Sequence, residues 1–164
     1  MTHAERLREI LRGGYCTRWH ANPDLAHIRE TLAEHHGRVV QILLSMHPNP
    51  GMQLIRAAAH HDCGEPYAGD LPGPFKDAHP EVAAAHAEVE AAALRELCVA
   101  PLLSSEDRAW LQFADRLAAY EHVRHVAPHL LQQAEWIAAA KRLEEASWQL
   151  GCADLLIGLI GRVL

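Results

Sequence analysis

The sequence predicts an all-α protein with one domain over residues 1–164. Apolar residues recur at intervals of three and four along most of the chain, which is the spacing of one face of an α-helix. Capping signals and Gly or Pro residues separate these segments, as expected at helix ends. No segment has the alternating pattern of a β-strand bounded by hairpin turns.

The predicted helices differ in how clearly their ends are marked. Two begin at capping boxes in which Thr is followed three residues later by Glu, and others begin at Pro or Ser. A Gly/Pro loop is expected between the third and fourth helices. In chain order we expect helices from Thr2 to Gly13, from Thr31 through Met46, from Leu54 to Asp62, from Pro80 through Leu97, from Ser104 or Ser105 through Tyr120, from Pro128 through Trp148, and from Ala153 to Val163.

Composition excludes several classes of function. The net charge of −6 argues against a general nucleic-acid-binding surface. The four cysteines form no CxxC pair, so neither a zinc ribbon nor a disulfide framework is indicated. The N-terminus lacks a signal pattern, and the apolar run at residues 153–164 is too short to span a bilayer. We therefore expect a cytoplasmic protein that binds neither nucleic acid nor membranes.

Histidine and aspartate residues at three places in the chain form a candidate metal site. His35 lies in the first turn of a helix, His61-Asp62 lies near a helix end, and Asp115 lies among small and apolar residues. Each feature alone also fits an ordinary surface or core residue. Together they offer two imidazoles and two carboxylates, which suit an open divalent-metal site with positions left for water and a phosphate oxygen.

Four motifs in this order resemble the HD-domain phosphohydrolases, in the branch of bacterial 5′-deoxynucleotidases and small phage-type dATP triphosphohydrolases. The likeness covers residues of roughly 10 to 125. The motifs are Thr17-Arg18-Trp19-His20-Ala21-Asn22-Pro23, Thr31-Leu32-Ala33-Glu34-His35, His61-Asp62-Cys63-Gly64-Glu65 with Gly69-Asp70-Leu71-Pro72-Gly73-Pro74-Phe75-Lys76, and Ala114-Asp115-Arg116-Leu117-Ala118-Ala119-Tyr120.

The resemblance implies a compact helical HD fold and a role for ten residues. Glu65 matches the catalytic acid that positions or deprotonates the attacking water. The implied ligands of one or more divalent ions (Zn, Co, Mn or Mg) are His35, His61, Asp62 and Asp115. The implied substrate residues are Arg18 and Lys76 for phosphate, Trp19 for the sugar and base, Asp70 for the deoxyribose 3′-hydroxyl, and Pro72 for the shape of the pocket.

The chain departs from the usual pattern of this branch at several positions. Two extra residues lie within residues 24–29, beside the expected base pocket. His36 stands where a small hydroxyl residue is usual, and Gly73 replaces a residue that is often polar or small. His60 precedes the HD pair and is interpreted as a non-ligand.

These features predict a metal-dependent dNTP triphosphohydrolase that prefers dATP and releases deoxynucleoside and triphosphate. The alternative is a 5′-deoxynucleotidase that acts on deoxynucleoside monophosphates. A third alternative is an inactive HD module that senses nucleotide or metal. A fourth is a metal-storage protein that uses the thirteen histidines. The resemblance also implies a homo-oligomer (a dimer or an assembly of dimers), in the host cytoplasm if the protein is phage-encoded.

Overall fold

Residues 1–162 are described by a computed structural model, and within them the chain is helical with no β-strand. The all-α prediction is therefore confirmed. The α-helices are α1 (His3–Gly13), α2 (Leu32–Met46), α3 (Met52–Ala58), α4 (Glu65–Ala68), α5 (Gly73–Ala78), α6 (Pro80–Glu96), α7 (Ser105–Val126), α8 (Ala134–Gln149) and α9 (Ala153–Ile160), and a 3₁₀-helix spans Pro128–Gln132.

The described chain forms two compact units, each built from two separate stretches of sequence. The first unit comprises Met1–His36 and Ala59–Pro101, and the second comprises Gly37–Ala58 and Leu102–Leu164. Helix α2 begins in the first unit and continues into the second. The assignment of residues 1–164 to one domain stays a prediction.

The second unit is organised around α7. This helix packs against α3, α8 and the 3₁₀-helix, and α8 packs in turn against α9. Trp110, Phe113 and Leu117 are buried at the spacing of one helix face, and the Trp110 and Phe113 rings meet edge to face at 5.9 Å. The Ser104 side chain caps α7 by accepting a hydrogen bond from the Asp107 amide at 3.0 Å.

The first unit is organised around α6, which packs against the short helices α4 and α5. Gly64 ends the turn before α4 and lies directly against the α6 backbone. A Cβ atom added at Gly64 would lie 2.9 Å from both the Cα and the carbonyl oxygen of Glu90. The absence of a side chain at residue 64 thus allows the turn and α6 to approach closely.

Several predicted helix ends were wrong. Helix α3 ends at Ala58 rather than Asp62, because residues 59–64 form turns. Their hydrogen bonds join residues three apart: the Cys63 N–H donates to the His60 carbonyl and the Glu65 N–H donates to the Asp62 carbonyl, both at 3.0 Å.

The expected loop before Pro80 contains α4 and α5, and α7 continues beyond Tyr120 to Val126. The segment that starts at Pro128 begins as a 3₁₀-helix instead of an α-helix. Helix α9 ends at Ile160, where Gly161 adopts a positive φ of 81°. The predicted end at Val163 lies outside the described residues. Within residues 1–162 no helix is both long enough and apolar enough to cross a membrane.

The contact at Gly64 predicts the effect of adding one methyl group. Gly64→Ala should lower the free energy of unfolding by about 1–3 kcal/mol, because the new Cβ meets backbone atoms that cannot rotate away. Gly37→Ala is the control: it lies inside α2 with nothing within 4 Å of its added Cβ, and should stabilise the protein by up to about 1 kcal/mol. Urea unfolding of both variants measures the difference, and equal stabilities would contradict the contact.

Candidate active site

The capping box at Thr31 and Glu34 fixes the first turn of α2. The Thr31 N–H donates to Glu34 Oε2 at 2.7 Å, and the Glu34 N–H donates to Thr31 Oγ1 at 3.3 Å. This reciprocal pair satisfies two backbone donors that the start of a helix would leave open. His35 follows at once and is fully buried. The cap therefore determines where this imidazole enters the interior.

A short antiparallel backbone pairing brings the first motif beside α2. Thr17 and Thr31 form an isolated bridge, and the Arg18 N–H donates to the Glu30 carbonyl at 2.9 Å. Trp19 then adopts a positive φ of 66°, a conformation that is uncommon for a bulky residue. Its indole N–H donates to the carboxylate of Glu30. Such backbone strain is typical of functional sites.

Three donor atoms converge in the first unit. His35 Nε2 lies 3.2 Å from His61 Nε2 and 3.5 Å from Asp62 Oδ2, and His61 Nε2 lies 3.3 Å from the same oxygen. His35 is buried, whereas His61 and Asp62 are half-buried in the turn that follows α3. The three therefore form a donor triangle that could hold a metal ion.

The dimensions of this triangle fit a divalent ion. Ligands at about 2.0–2.1 Å from a tetrahedral ion lie about 3.4 Å apart, and the three observed distances are close to that value. Asp62 Oδ2 is buried and makes no hydrogen bond within residues 1–162. An ionised oxygen in such a position requires a positive partner. Nitrogen and oxygen donors together suit Zn, Co or Mn.

A third imidazole lies next to the triangle. His36 is buried, and its Nε2 atom lies 3.9 Å from Asp62 Oδ2. Its ring centroid is 4.8 Å from that of His61. Burial, followed by the neighbouring His61 and His35, lowers the pKa of His36 to about 2. His36 is therefore neutral at physiological pH.

Arg18 connects the donor triangle to Trp19. Its guanidinium Nη1 lies 3.8 Å from Asp62 Oδ2, and its Cζ lies 5.6 Å from the centroid of the Trp19 ring. The side chain of Arg18 is mostly buried, so the cation is held beside the donors rather than in open solvent. A guanidinium in this position suits recognition of a phosphate group.

Glu65 lies in the same charged cluster at the start of α4. Burial first, and then the carboxylates of Asp62 and Asp70, raise its pKa to about 9 against the lowering effect of Arg18. Glu65 therefore interacts electrostatically with three residues that have predicted roles. Asp62 is a predicted metal ligand, Asp70 a predicted sugar contact and Arg18 a predicted phosphate contact. A half-buried carboxyl group with a perturbed pKa beside a metal-capable group is a strong candidate for a catalytic role.

Helix α6 contributes two residues to this cluster. His86 Nε2 lies 2.7 Å from the carbonyl oxygen of Gly69, and His86 Nδ1 lies 3.5 Å from Glu90 Oε2. Burial raises the pKa of Glu90, Lys76 and His86 lower it, and Asp62 and Asp70 raise it. The loop that contains Asp70 is thus anchored to α6, and Lys76 belongs to the same set of charges.

The roles assigned to all ten site residues stay predictions, and Pro72 and Asp115 are the two that no contact described above brings to the donor triangle. Pro72 precedes α5, and its carbonyl accepts hydrogen bonds from the amides of Phe75 and Lys76, both at 3.0 Å. Asp115 is half-buried on α7, which lies in the second unit.

Sequence reasoning missed Glu30, His36 and the pair His86–Glu90 as members of the site. The pair carried a usable signal, because His and Glu four residues apart share one face of the alanine-rich α6. His36 was noted only as a departure from the usual pattern. Glu30 carried no local signal, since its burial results from pairing between distant segments.

Comparison with known families shows the family to which the chain belongs. The sequence model of the YfbR-like 5′-deoxynucleotidase family matches residues 5–147. The chain belongs to this family. It is accordingly a metal-dependent phosphoric ester hydrolase of the HD-domain superfamily, as the motifs predicted. No curated protein and no solved structure shows significant similarity to this YfbR-like chain.

The triangle predicts that adjacent histidines differ in their effect on metal binding. His61→Ala should weaken Co²⁺ binding more than about 100-fold, because it removes one of three convergent donors. His60→Ala is the matched control and should leave the affinity within about threefold. Titration with Co²⁺, followed by visible absorption, measures both. Equal losses in the two variants would contradict the assignment of His61.

Proposed function

We propose that this YfbR-like chain is a 5′-deoxynucleotidase that hydrolyses deoxynucleoside 5′-monophosphates. Water adds to the phosphorus, the P–O5′ bond breaks, the departing O5′ oxygen takes up a proton, and the products are a deoxynucleoside and orthophosphate. The observation that carries the proposal is the convergence of His35, His61 and Asp62 beside Arg18, in a chain of this family.

Triphosphohydrolysis of dATP, the reaction preferred from the motifs, is not confirmed, and the family match favours the monophosphate alternative.

The phosphate is held and activated by charged side chains. A divalent ion, when bound, supplies positive charge that stabilises the phosphoryl oxygens and lowers the pKa of water. Arg18 and Lys76 hold the non-bridging oxygens as charge spreads over them in the transition state. Glu65 accepts a proton from the attacking water. Engagement of Asp62 as a ligand removes one of the charges that raise the Glu65 pKa, which favours the basic form of Glu65.

The sugar and base are held by residues from two segments. The Trp19 ring, fixed by its hydrogen bond to Glu30, offers an apolar face to the sugar and base. Asp70 accepts a hydrogen bond from the deoxyribose 3′-hydroxyl, and Pro72 shapes the pocket wall. Residues 24–29 follow Trp19 and carry the extra length, so we expect them to influence which base is accepted.

Asp115 is proposed as the fourth metal ligand. The Co²⁺ titration described for His61 applies to it as well: Asp115→Ala should bind Co²⁺ more than about 100-fold more weakly. Asp154→Ala, which removes an exposed carboxylate from α9, is the control. Unchanged affinity in Asp115→Ala would remove Asp115 from the ligand set.

A homo-oligomer, as a dimer or an assembly of dimers, is also proposed. Trp136 and Leu156 are buried, whereas Ile137, Trp148 and Leu155 remain exposed on α8 and α9. An apolar surface of this kind suits burial against a second subunit. We expect the enzyme to act on small cytoplasmic deoxynucleotides.

The reaction is tested with a substrate panel. With Co²⁺ or Mn²⁺, we expect deoxynucleoside and orthophosphate from deoxynucleoside monophosphates, little turnover of ribonucleoside monophosphates, and intact dNTP. Chromatography of the products distinguishes these outcomes. Release of intact triphosphate from dATP would establish the triphosphohydrolase instead, and no turnover with any metal would favour an inactive sensor.

The role of Glu65 predicts a separation of turnover from metal binding. Glu65→Gln should lower kcat by about 10²–10⁴-fold, because it removes the proposed proton acceptor. Its Co²⁺ affinity should stay close to that of the wild type. Glu88→Gln on the exposed side of α6 is the control and should have normal kcat. Full activity of Glu65→Gln would overturn the mechanism.

A further inference from the structure

Glu30 is a carboxylate with no exposed surface, located between a proposed substrate residue and a proposed metal ligand. Its Oε2 atom accepts the indole N–H of Trp19. Its Oε1 atom lies 4.0 Å from His35 Nδ1. Complete burial of a carboxylate is costly unless hydrogen-bond donors surround it. The two oxygens of Glu30 thus face two different parts of the active site.

The orientation of His35 defines what Glu30 can do. His35 Nε2 belongs to the donor triangle, so Nε2 is the nitrogen available to an ion. A neutral imidazole that binds an ion through Nε2 carries its proton on Nδ1. The nitrogen that would carry this proton, His35 Nδ1, is the one that lies toward Glu30 Oε1. In metal sites, a carboxylate in this position fixes the ring and increases the basicity of the ligand.

The backbone holds Glu30 in place for this task. Its carbonyl accepts the Arg18 N–H at 2.9 Å, and the next residue, Thr31, forms the bridge to Thr17. The Trp19 carbonyl accepts the Asn22 N–H at 2.9 Å, which stabilises the left-handed conformation of Trp19. Glu30 and Trp19 are therefore fixed to each other before any ion or substrate binds.

We propose that Glu30 is a positioning residue that couples the metal centre to the substrate wall. Glu30 Oε1 accepts the His35 Nδ1–H, closing the present 4.0 Å separation to hydrogen-bond distance when an ion binds, while Oε2 retains Trp19. The inference rests on the proposed function, in which His35 binds metal and Trp19 contacts substrate.

The coupling follows from a closed series of contacts. Arg18 lies beside both Asp62 and the Trp19 ring, Trp19 donates to Glu30, and Glu30 faces His35. His35 and Asp62 are two of the three donors, with 3.5 Å between their ligand atoms. We therefore expect movement of either donor to reach the indole through Glu30 on one side and through Arg18 on the other.

The test compares Glu30→Gln with Trp19→Phe by Co²⁺ titration. Glu30→Gln keeps the size of the side chain but removes its charge, and should weaken Co²⁺ binding by about 10–100-fold. Trp19→Phe shrinks the ring and removes the indole N–H that holds Glu30, so its Co²⁺ affinity should also fall, by a smaller factor of about 3–10-fold, while its KM for a deoxynucleoside monophosphate rises. Wild-type Co²⁺ affinity in Glu30→Gln would overturn the proposal.

A measurement on the wild-type protein covers the case in which Glu30→Gln fails to fold. NMR of ¹⁵N-histidine-labelled protein loaded with Zn²⁺ should show a downfield, slowly exchanging Nδ1–H on His35. Protonation of His35 at Nε2, or rapid exchange of Nδ1–H with solvent, would overturn the proposal. If metal binding depends on Glu30 but the protein has no nucleotidase activity, the proposed function alone is refuted. If the protein is an active nucleotidase whose metal binding does not depend on Glu30, this inference alone is refuted.

Discussion

The pairing of residues 14–18 with residues 30–33 is the constraint on which the candidate active site depends. Backbone hydrogen bonds join Arg18 to Glu30, Leu32 to Cys16 and Ala33 to Gly14. Because these bonds lie immediately before the first turn of α2, they bring the cation and the indole of the first motif to the imidazole of His35. The same pairing sets Trp19 beside Glu30, whose buried carboxylate accepts the indole N–H, so fold and site are stabilised by the same short segment.

The turn at residues 59–64 makes the second contribution. Side chains at adjacent positions diverge in a regular helix, yet His61 and Asp62 place their ligand atoms 3.3 Å apart. The early end of α3 makes this possible, since the turn frees both side chains from helical geometry. Gly64 then lets the chain pass against α6, which anchors the following loop through Gly69. A short interruption between two helices thus brings two of the three donors together and leads into the loop that contains Asp70.

Much of the fold could be predicted from the sequence, because capping boxes and apolar periodicity are local signals. The caps at Thr2, Thr31 and Ser104 are present as expected. His35, His61 and Asp62 could be identified because motif order adds to local chemistry. Glu30 could not be identified, since its environment arises from residues that are distant in sequence. The position of the α3 end was missed because the alanine-rich run offers no local reason to stop at Ala58.

The division of the chain has a consequence for the order of folding during synthesis. The unit that carries His35, His61 and Asp62 ends at Pro101, whereas the other unit requires the chain through α9. All three convergent donors are therefore synthesised before α7 and Asp115. Residues 36 and 59 come together only when a loop that contains most of α2 and all of α3 closes. The entropy lost in this closure grows only slowly with the length of the loop. A nascent chain can thus assemble the triangle of donors before Asp115 has been synthesised.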